Sequence, residues 1–289
     1  MRRFCGPLST RARGEGMQSD GRPIIIDSAE EYLASATKQT TGGHVWDAAK
    51  VLLDYLHAHP DSLNGESSDR IHKGCRILEL GAGTGFLSMH IARDFRASEI
   101  VATEMVEGGA LRWLVQNVQR NREAGHAFST LSTAPLDWNW VINIGTSDGS
   151  DQTSTAATHA PLNSGPHVAG SFAEREAGTS IMSTEWDVIV GSDLVYDDAG
   201  VYMLPRVLRR LLAAGSKAFA LYAHTLNRFE FADHDFFAEL TALGLSFTQV
   251  FPGQVEEAEG FSGELFPEMR VVIMRISIAN TSDATDGTQ

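Results

Sequence analysis

Three short stretches of this chain carry residue types and spacings that suit chemistry. RILELGAGTG (76–85) is an apolar run followed by glycines at Gly81, Gly83 and Gly85. Glu104 ends a second apolar run, and Asp193 and Tyr196 follow a third. Glycines between a strand and a helix let the backbone approach a ligand, and the helix start offers free N–H groups. An acid at the tip of the second strand accepts hydrogen bonds from ribose hydroxyls.

The spacing of the glycines limits the kinds of ligand that the loop could bind. G-x-G-x-G followed by Phe86 is not the G-x-G-x-x-G of dinucleotide sites, and no G-x-x-x-x-G-K-[ST] exists, so a P-loop is excluded. These residues leave open another nucleotide-like cofactor or a tight turn without a ligand. Glu104 could likewise serve only as the N-cap of the next helix.

Alternating strand and helix patterns must position these stretches. Apolar spacing of three and four predicts a helix within 40–59, before the first strand. Strands are predicted at 24–26, 76–80, 99–104, within 131–140, 186–196, 217–225, 247–251 and 271–277, and helices at 86–93, 108–122, 199–213 and 229–244. The alternation predicts a doubly wound α/β fold with a mostly parallel sheet. The last two strands have no helix between them, which indicates an antiparallel pair joined by 252–269.

Composition divides the chain into one folded domain, 23–279, and segments predicted to be disordered. These are an N-terminal tail (1–22), a low-complexity insertion rich in Ser, Thr, Gly and Ala (143–183), and a polar tail (280–289). Such segments cannot bury enough apolar surface to offset their ordering entropy. The Arg-rich start is interpreted as a basic tail, with a mitochondrial presequence as the alternative.

Charge and cysteine content exclude several classes. The 289-residue chain has a net charge of −14, which disfavours direct nucleic-acid binding. Its two cysteines form no disulfide framework or zinc spacing, and no apolar run reaches the length of a membrane span. We therefore expect a cytoplasmic monomer without membrane contact. No metal is predicted: in HTLNRFEFADHDFF (224–237), consecutive Asp233, His234 and Asp235 would fan around a helix.

Four motifs in order resemble a known family. ILELGAGTGFLS with VATE downstream looks like the cofactor half of class I S-adenosylmethionine-dependent methyltransferases. TTGGHVWDAAKVLLDYL, LDWNW and DVIVGSDLVYDD resemble the seven-β-strand protein-lysine methyltransferases, methyltransferase family sixteen. The TTG, ATE and LDW details are most similar to enzymes that methylate a lysine of translation elongation factor 2. The resemblance covers about residues 40–277 apart from the insertion. It implies a seven-stranded sheet with an antiparallel strand near the C-terminus, S-adenosyl-L-methionine as cofactor, and a protein substrate, such as a translation factor.

The resemblance also assigns roles to residues. It places Trp46 against the cofactor, the loop residues at its methionine end, Glu104 on the ribose, and the adenine beside the LDW motif. The implied cofactor-binding residues are Trp46, Gly81, Ala82, Gly83, Glu104, Asp137, Trp138 and Ser192, and the implied catalytic residues are Asp193 and Tyr196 of the D-x-x-Y pattern. Core packing is the alternative for the two tryptophans, backbone capping for Ser192, and a surface turn for D-x-x-Y.

The chemistry of methyl transfer agrees with these roles. The enzyme must align a neutral amine with the methyl–sulfur bond, whereas a free lysine, with a pKa of about 10.4, is mostly protonated at neutral pH. A carboxylate alone would raise that pKa, so we expect Asp193 to position the amine rather than act as a strong base. Rival hypotheses are a small-molecule methyltransferase, a nucleic-acid methyltransferase and a cofactor-free binding module. S-D-L-V-Y lacks the prolines of N-P-P-Y or D-P-P-Y in enzymes that methylate base amines, which counts against the second.

Overall fold

A computed structural model describes most of the predicted domain, namely residues 22–26, 41–63, 74–143, 171–215, 217–229, 232–252 and 270–279. The predicted tails at 1–21 and 280–289 lie outside the described residues. So do 144–170 of the predicted insertion and 253–269 of the loop between the last two strands.

Seven strands form one sheet in the order β3-β2-β1-β4-β5-β7-β6. The strands are β1 Cys75–Glu79, β2 Ala97–Glu104, β3 Leu131–Pro135, β4 Val188–Ser192, β5 Phe219–Leu226, β6 Leu245–Phe251 and β7 Arg270–Ile278. The first five run parallel, whereas β7 is antiparallel to both β5 and β6. The predicted doubly wound, seven-stranded sheet with an antiparallel strand near the C-terminus is therefore confirmed.

Helices cover both faces of this sheet. They are α1 Asp47–Ala58, α2 Phe86–Asp94, α3 Ala110–Glu123, α4 Trp138–Asn143, α5 Phe172–Ser183, α6 Asp198–Ala214 and α7 Ala232–Ala242, with short 3₁₀ turns at Thr41–Gly43, Pro60–Leu63 and Glu107–Gly109. Helices α1, α2 and α3 pack on one face, and α4 to α7 pack on the other. Successive strand residues alternate between the two cores, as Ile77 and Leu78 do, and this explains the nearly continuous apolar runs.

The register of the parallel strands brings the three chemical stretches together. Glu79, the last residue of β1, pairs with Ala102 of β2 on one side and Val190 of β4 on the other. The glycine loop after β1, Glu104 at the end of β2 and Asp193 after β4 therefore meet at one edge of the sheet. This is the edge at which open α/β sheets bind ligands.

The segment at 24–26 was predicted to be a strand, and that prediction is wrong. Residues 22–26 are irregular, and Asn121 of α3 takes the place of a neighbouring strand. The Ile25 backbone N–H donates to Asn121 Oδ1 at 2.8 Å, and Asn121 Nδ2 donates to the Ile25 carbonyl at 2.7 Å. This short apolar segment thus lies beside α3, where a side-chain amide satisfies the backbone N–H and carbonyl of Ile25.

The predicted C-terminal boundary of the disordered insertion, at residue 183, is also wrong, because Phe172–Ser183 forms α5. Ser171 Oγ accepts from the Glu174 N–H while Glu174 reaches back to Ser171, a capping box that begins the helix. The helix packs through Gly178, where an added Cβ would collide with the Trp140 ring. The average composition of 143–183 concealed this short cap and contact. A further difference is α4, a short helix of 6 residues in what was predicted to be a loop after β3.

In the part of the chain that the structure describes, none of the helices has the length and apolarity needed to cross a membrane.

Candidate functional site

A cleft of about 330 Å³ opens at the carboxyl edge of the parallel strands. Its walls come from the glycine loop, the ends of β1, β2 and β4, the start of α1 and the turn before α4. All ten residues predicted to bind cofactor or catalyse the reaction line it: Trp46, Gly81, Ala82, Gly83, Glu104, Asp137, Trp138, Ser192, Asp193 and Tyr196. The structure therefore brings the whole predicted set to one place.

The floor of the cleft is the glycine loop, whose conformation requires glycine. Gly81 and Gly83 have φ values of 57° and 52°, in the left-handed region that disfavours other residues. A Cβ on Gly83 would also lie 3.2 Å from the Gly42 carbonyl oxygen, so the loop before α1 closes tightly over it. Gly85, the third glycine, faces Leu114 of α3 instead and serves packing.

Glu104 stabilises this loop from the neighbouring strand. Its Oε2 accepts the Gly83 N–H at 2.9 Å, and its Oε1 accepts the Met105 N–H at 2.9 Å. Burial raises the pKa of Glu104 above its usual value, although both backbone hydrogen bonds act in the opposite direction. Each oxygen keeps a second lone pair for a ligand hydroxyl.

Glu79 is a functional candidate that the sequence interpretation missed. It ends β1, is only 3% exposed, and lines the cleft directly before the glycine loop. Its Oε2 accepts from the Ser88 N–H at 3.1 Å and from the Ser88 hydroxyl. Burial raises the pKa of Glu79 to about 8, which the hydrogen bonds from Ser88 partly oppose and the charge of Glu104 increases. An acid directly after two apolar residues, Ile77 and Leu78, and just before the glycine loop was the signal that could have found it.

The wall opposite α1 holds the remaining predicted cofactor residues. Asp137 Oδ1 accepts the Asn139 N–H at 2.8 Å, which starts α4 and turns Trp138 toward the cleft. Trp138 is half-buried against the core, and Ser192 ends β4 beside the cleft. Trp140 and Trp186, which the sequence interpretation left as core residues, both pack within the α4 to α7 layer.

At the other end of the cleft, a buried carboxylate lies beneath exposed aromatic rings. Asp193 has a φ of 51°, unusual for a residue with a side chain, and its side chain is 2% exposed. Its Oδ1 accepts the Thr225 N–H at 2.9 Å, and its Oδ2 lies 3.0 Å from Arg228 Nη2. Trp46 and Tyr196 remain 37% and 39% exposed at the mouth.

Tyr222 of β5 supports this turn from below. Its hydroxyl accepts the Leu194 N–H at 2.9 Å, directly after Asp193. Burial, and then the nearby charge of Asp193, raise the pKa of Tyr222 well above its usual value, so the phenol stays neutral. Contacts with neighbouring residues therefore stabilise a backbone conformation of Asp193 that is unfavourable for the residue by itself.

His224 and Asp233, considered in the sequence for a metal, form a pair instead. His224 Nε2 lies 2.7 Å from Asp233 Oδ1, while His234 pairs with Asp235 on the helix surface. Among the described residues, no group of three His, Cys, Asp or Glu side chains is arranged for a metal ion.

The charge of the lining indicates the kind of ligand. Five acidic residues line the cleft, Glu79, Glu104, Asp137, Asp193 and Asp197, and no Lys or Arg is among the described lining residues. A phosphate-bearing nucleotide would place negative charge against these acids. A cationic nucleoside without phosphate fits the glycine cradle and the acids, as S-adenosylmethionine does.

Comparisons with known proteins found the following similarities. The family model described as lysine methyltransferase matches residues 27–150. A protein N-terminal and lysine N-methyltransferase, EFM7, of Yarrowia lipolytica is 25% identical over 230 residues, 77% of this chain and 74% of the relative. The solved METTL16 methyltransferase domain is similar at a TM-score of 0.47 and 12% identity, covering 89% of this chain and 74% of that one. For the CurJ carbon methyltransferase the TM-score is 0.46 at 15% identity, over 87% of this chain but only 57% of that chain.

The family match and the curated relative confirm the predicted enzyme class, an S-adenosylmethionine-dependent protein-lysine N-methyltransferase. The sheet order found here is that of the class I methyltransferase fold. S-adenosylmethionine is accordingly the methyl donor.

Proposed function

We propose that this enzyme methylates a lysine side chain of a cytosolic protein, with translation elongation factor 2 as the first candidate. The similarity of the TTG, ATE and LDW motifs to methyltransferases of that factor supports the candidate. The acidic chain, with a net charge of −14, suits a substrate whose target lysine lies in a basic surface.

The observation that carries the proposal is the acceptor end of the cleft. Trp46 and Tyr196 are more than a third exposed, while Asp193 beneath them is buried. A lysine presents a long apolar stem and a polar tip. The stem suits the face of the Tyr196 ring, and the amine reaches the polar groups below it, while Trp46 is the ring predicted to lie against the donor.

Residues of this chain hold the methyl donor at the other end. Glu104 would accept hydrogen bonds from the ribose hydroxyls, and Asp137, Trp138 and Ser192 would border the adenine, for which an indole face is a suitable partner. Gly81, Ala82 and Gly83 would line the methionine end. Glu79 would hold the ammonium of the methionine part, because a buried carboxyl ionises readily once a cation offsets the cost of its burial. When bound, the donor supplies an electrophilic methyl group on a sulfonium.

Asp193 and Tyr196 orient the incoming amine in line with that methyl group. The carboxylate lies in a rigid turn set by Tyr222 and Thr225. The phenol of Tyr196, at the mouth, offers an oxygen that accepts a hydrogen bond from the amine. The ammonium proton leaves to water before attack, since only the neutral amine has the lone pair.

The test is methyl-labelled S-adenosylmethionine incubated with the enzyme and a cytosolic extract that lacks it. We expect one labelled protein band at the mass of elongation factor 2, and methyl-lysine after acid hydrolysis. Label in a different protein would refute the proposed substrate, and label only in small molecules or RNA would refute lysine methylation.

Variants then separate the two ends of the cleft. Asp193→Ala should abolish labelling while S-adenosylhomocysteine still binds in calorimetry, and Glu104→Ala should weaken that binding by about tenfold or more. Asp235 is an exposed acid on α7. The Asp235→Asn variant is the matched control, and it should retain both methyl labelling and S-adenosylhomocysteine binding. Full activity in Asp193→Ala would remove the catalytic assignment.

A further inference from the structure

Arg228 contacts two residues that line the cleft, Trp46 and Asp193, without lining it itself, and it lies outside the family-like motifs. Its guanidinium lies over the Trp46 ring, 5.0 Å from the centroid, and 3.0 Å from Asp193 Oδ2. Arg228 Nη2 also donates a hydrogen bond to Thr225 Oγ1 at 3.2 Å. Arg228 thus bridges an exposed ring that lines the cleft and the buried carboxylate beneath it.

The turn after β5 positions Arg228 beside Trp46 and Asp193. Asn227 has a φ of 57°, and its N–H donates to Asp233 Oδ2 at 2.7 Å. The other oxygen of Asp233 lies 2.7 Å from His224 Nε2. Although burial raises it, these two hydrogen bonds hold the pKa of Asp233 below its usual value, so the carboxylate remains charged. A fixed turn of this kind leaves Arg228 little freedom to leave Asp193.

Arg228 changes the charge that a target amine encounters. Asp193 Oδ1 accepts a hydrogen bond from the Thr225 N–H, and Oδ2 forms an ion pair with Arg228. The Asp193 side chain is 2% exposed, whereas the Arg228 side chain is 21% exposed. An amine at the mouth therefore approaches a neutral pair. A bare carboxylate there would hold the amine as an ammonium ion, which cannot attack the methyl group.

We propose that Arg228 is a positioning residue that neutralises Asp193, so that the target lysine occupies the acceptor end as the free amine. This role rests on the proposed function, because it concerns the same amine. Arg228 acts by keeping Asp193 oriented and its charge compensated.

Within the described part of the chain, the other ionisable groups around Arg228 are either neutral or already paired. On β5, Tyr222 is neutral and His224 is paired with Asp233 of α7. Asp197, which lines the cleft, accepts the Gly200 N–H at the start of α6. Asp193 is the carboxylate in direct contact with Arg228, so the effect of removing the guanidinium falls mainly on that pair.

The experiment compares pH–rate profiles of the wild type, Arg228→Gln and Arg228→Lys. Each is incubated with labelled S-adenosylmethionine and the same cytosolic extract, and methyl-lysine is quantified after hydrolysis. In Arg228→Gln, the acid limb of the profile should move to higher pH by about one unit, with most of the rate recovered at alkaline pH. Arg228→Lys restores a positive charge and should move the limb back toward the wild type.

Binding of S-adenosylhomocysteine, measured by calorimetry, shows that the variants fold and keep the donor end intact. If the Arg228→Gln variant does not bind S-adenosylhomocysteine, only the Arg228→Lys variant is compared with the wild type. A smaller shift of the acid limb is then expected. A uniform loss or gain of rate with an unmoved acid limb would overturn the role of Arg228 and leave the proposed function in place. Absence of methyl-lysine with the wild type would overturn the proposed function and this inference together.

Discussion

Replacing Glu79 with Gln isolates the effect of one buried carboxyl group on stability and on donor binding. In the folded protein the pKa of Glu79 is raised to about 8, from its ordinary value of 4.5, because the group is buried beside the glycine loop. Gln has the same shape as the protonated acid and keeps an oxygen that accepts from Ser88. The substitution therefore removes the titration while preserving the contacts.

The sign and size of the expected change in the free energy of unfolding follow from the linkage between protonation and folding. The pKa of Glu79 is higher in the folded than in the unfolded chain, so folding takes up a proton between the two values. The contribution of Glu79 to the free energy of unfolding is full at low pH and falls as pH rises through this window, by about 1.4 kcal/mol per pH unit. Between about pH 5 and about pH 7, Glu79→Gln should gain roughly 2.5 kcal/mol relative to the wild type.

Urea unfolding of both proteins across this pH range measures the difference directly, since other titrating groups are shared and cancel. The hydrogen-bond partner of Glu79 is Ser88, whose hydroxyl does not titrate in this range and adds no pH dependence of its own. Stability curves of the two proteins that run parallel with pH would refute the assignment of a raised pKa to Glu79.

Donor binding gives a second measurement of the same group. S-adenosylhomocysteine carries the same α-ammonium group as the donor, so its binding should ionise Glu79 and release close to one proton at about pH 7. Calorimetry in buffers of different ionisation enthalpy measures that proton. Glu79→Gln should release none through this group and bind more weakly. Proton release that is unchanged in the variant would show that the ammonium does not meet Glu79.

Two further substitutions test the walls of the site. Gly83→Ala places a Cβ about 3.2 Å from the Gly42 carbonyl at a positive φ, and it should weaken S-adenosylhomocysteine binding and cost about 1–2 kcal/mol of stability. Unchanged binding and stability would mean that the loop relaxes freely. Gly178→Val drives a side chain into the Trp140 ring and should lower the free energy of unfolding by about 1–3 kcal/mol. Glu176→Val, on the exposed surface of α5, is its control, and an equal loss in both would deny that α5 packs through Gly178.

Local patterns were sufficient for much of the architecture because they report short-range physics. Apolar runs predicted β1, β2, β4 and β5 within a few residues. The glycine loop and Glu104 were placed correctly, since the ends of successive parallel strands must meet at one edge. Helix α5 escaped prediction because its cap and its contact with Trp140 occupy a few residues within a long low-complexity stretch.

Motif spacing was enough to identify the glycine cradle and to exclude a P-loop, and the resemblance to a known family supplied the ten predicted residues that line the cleft. The charge states and partners of these residues depend on the folded chain. Glu79 is one acid in an apolar strand until folding removes it from water, and Asp193 resembles a free carboxylate until β5 and its turn bring Arg228 against it. Burial and pairing between residues distant in the chain set these properties, and both arise only when the sheet and helices close around the site.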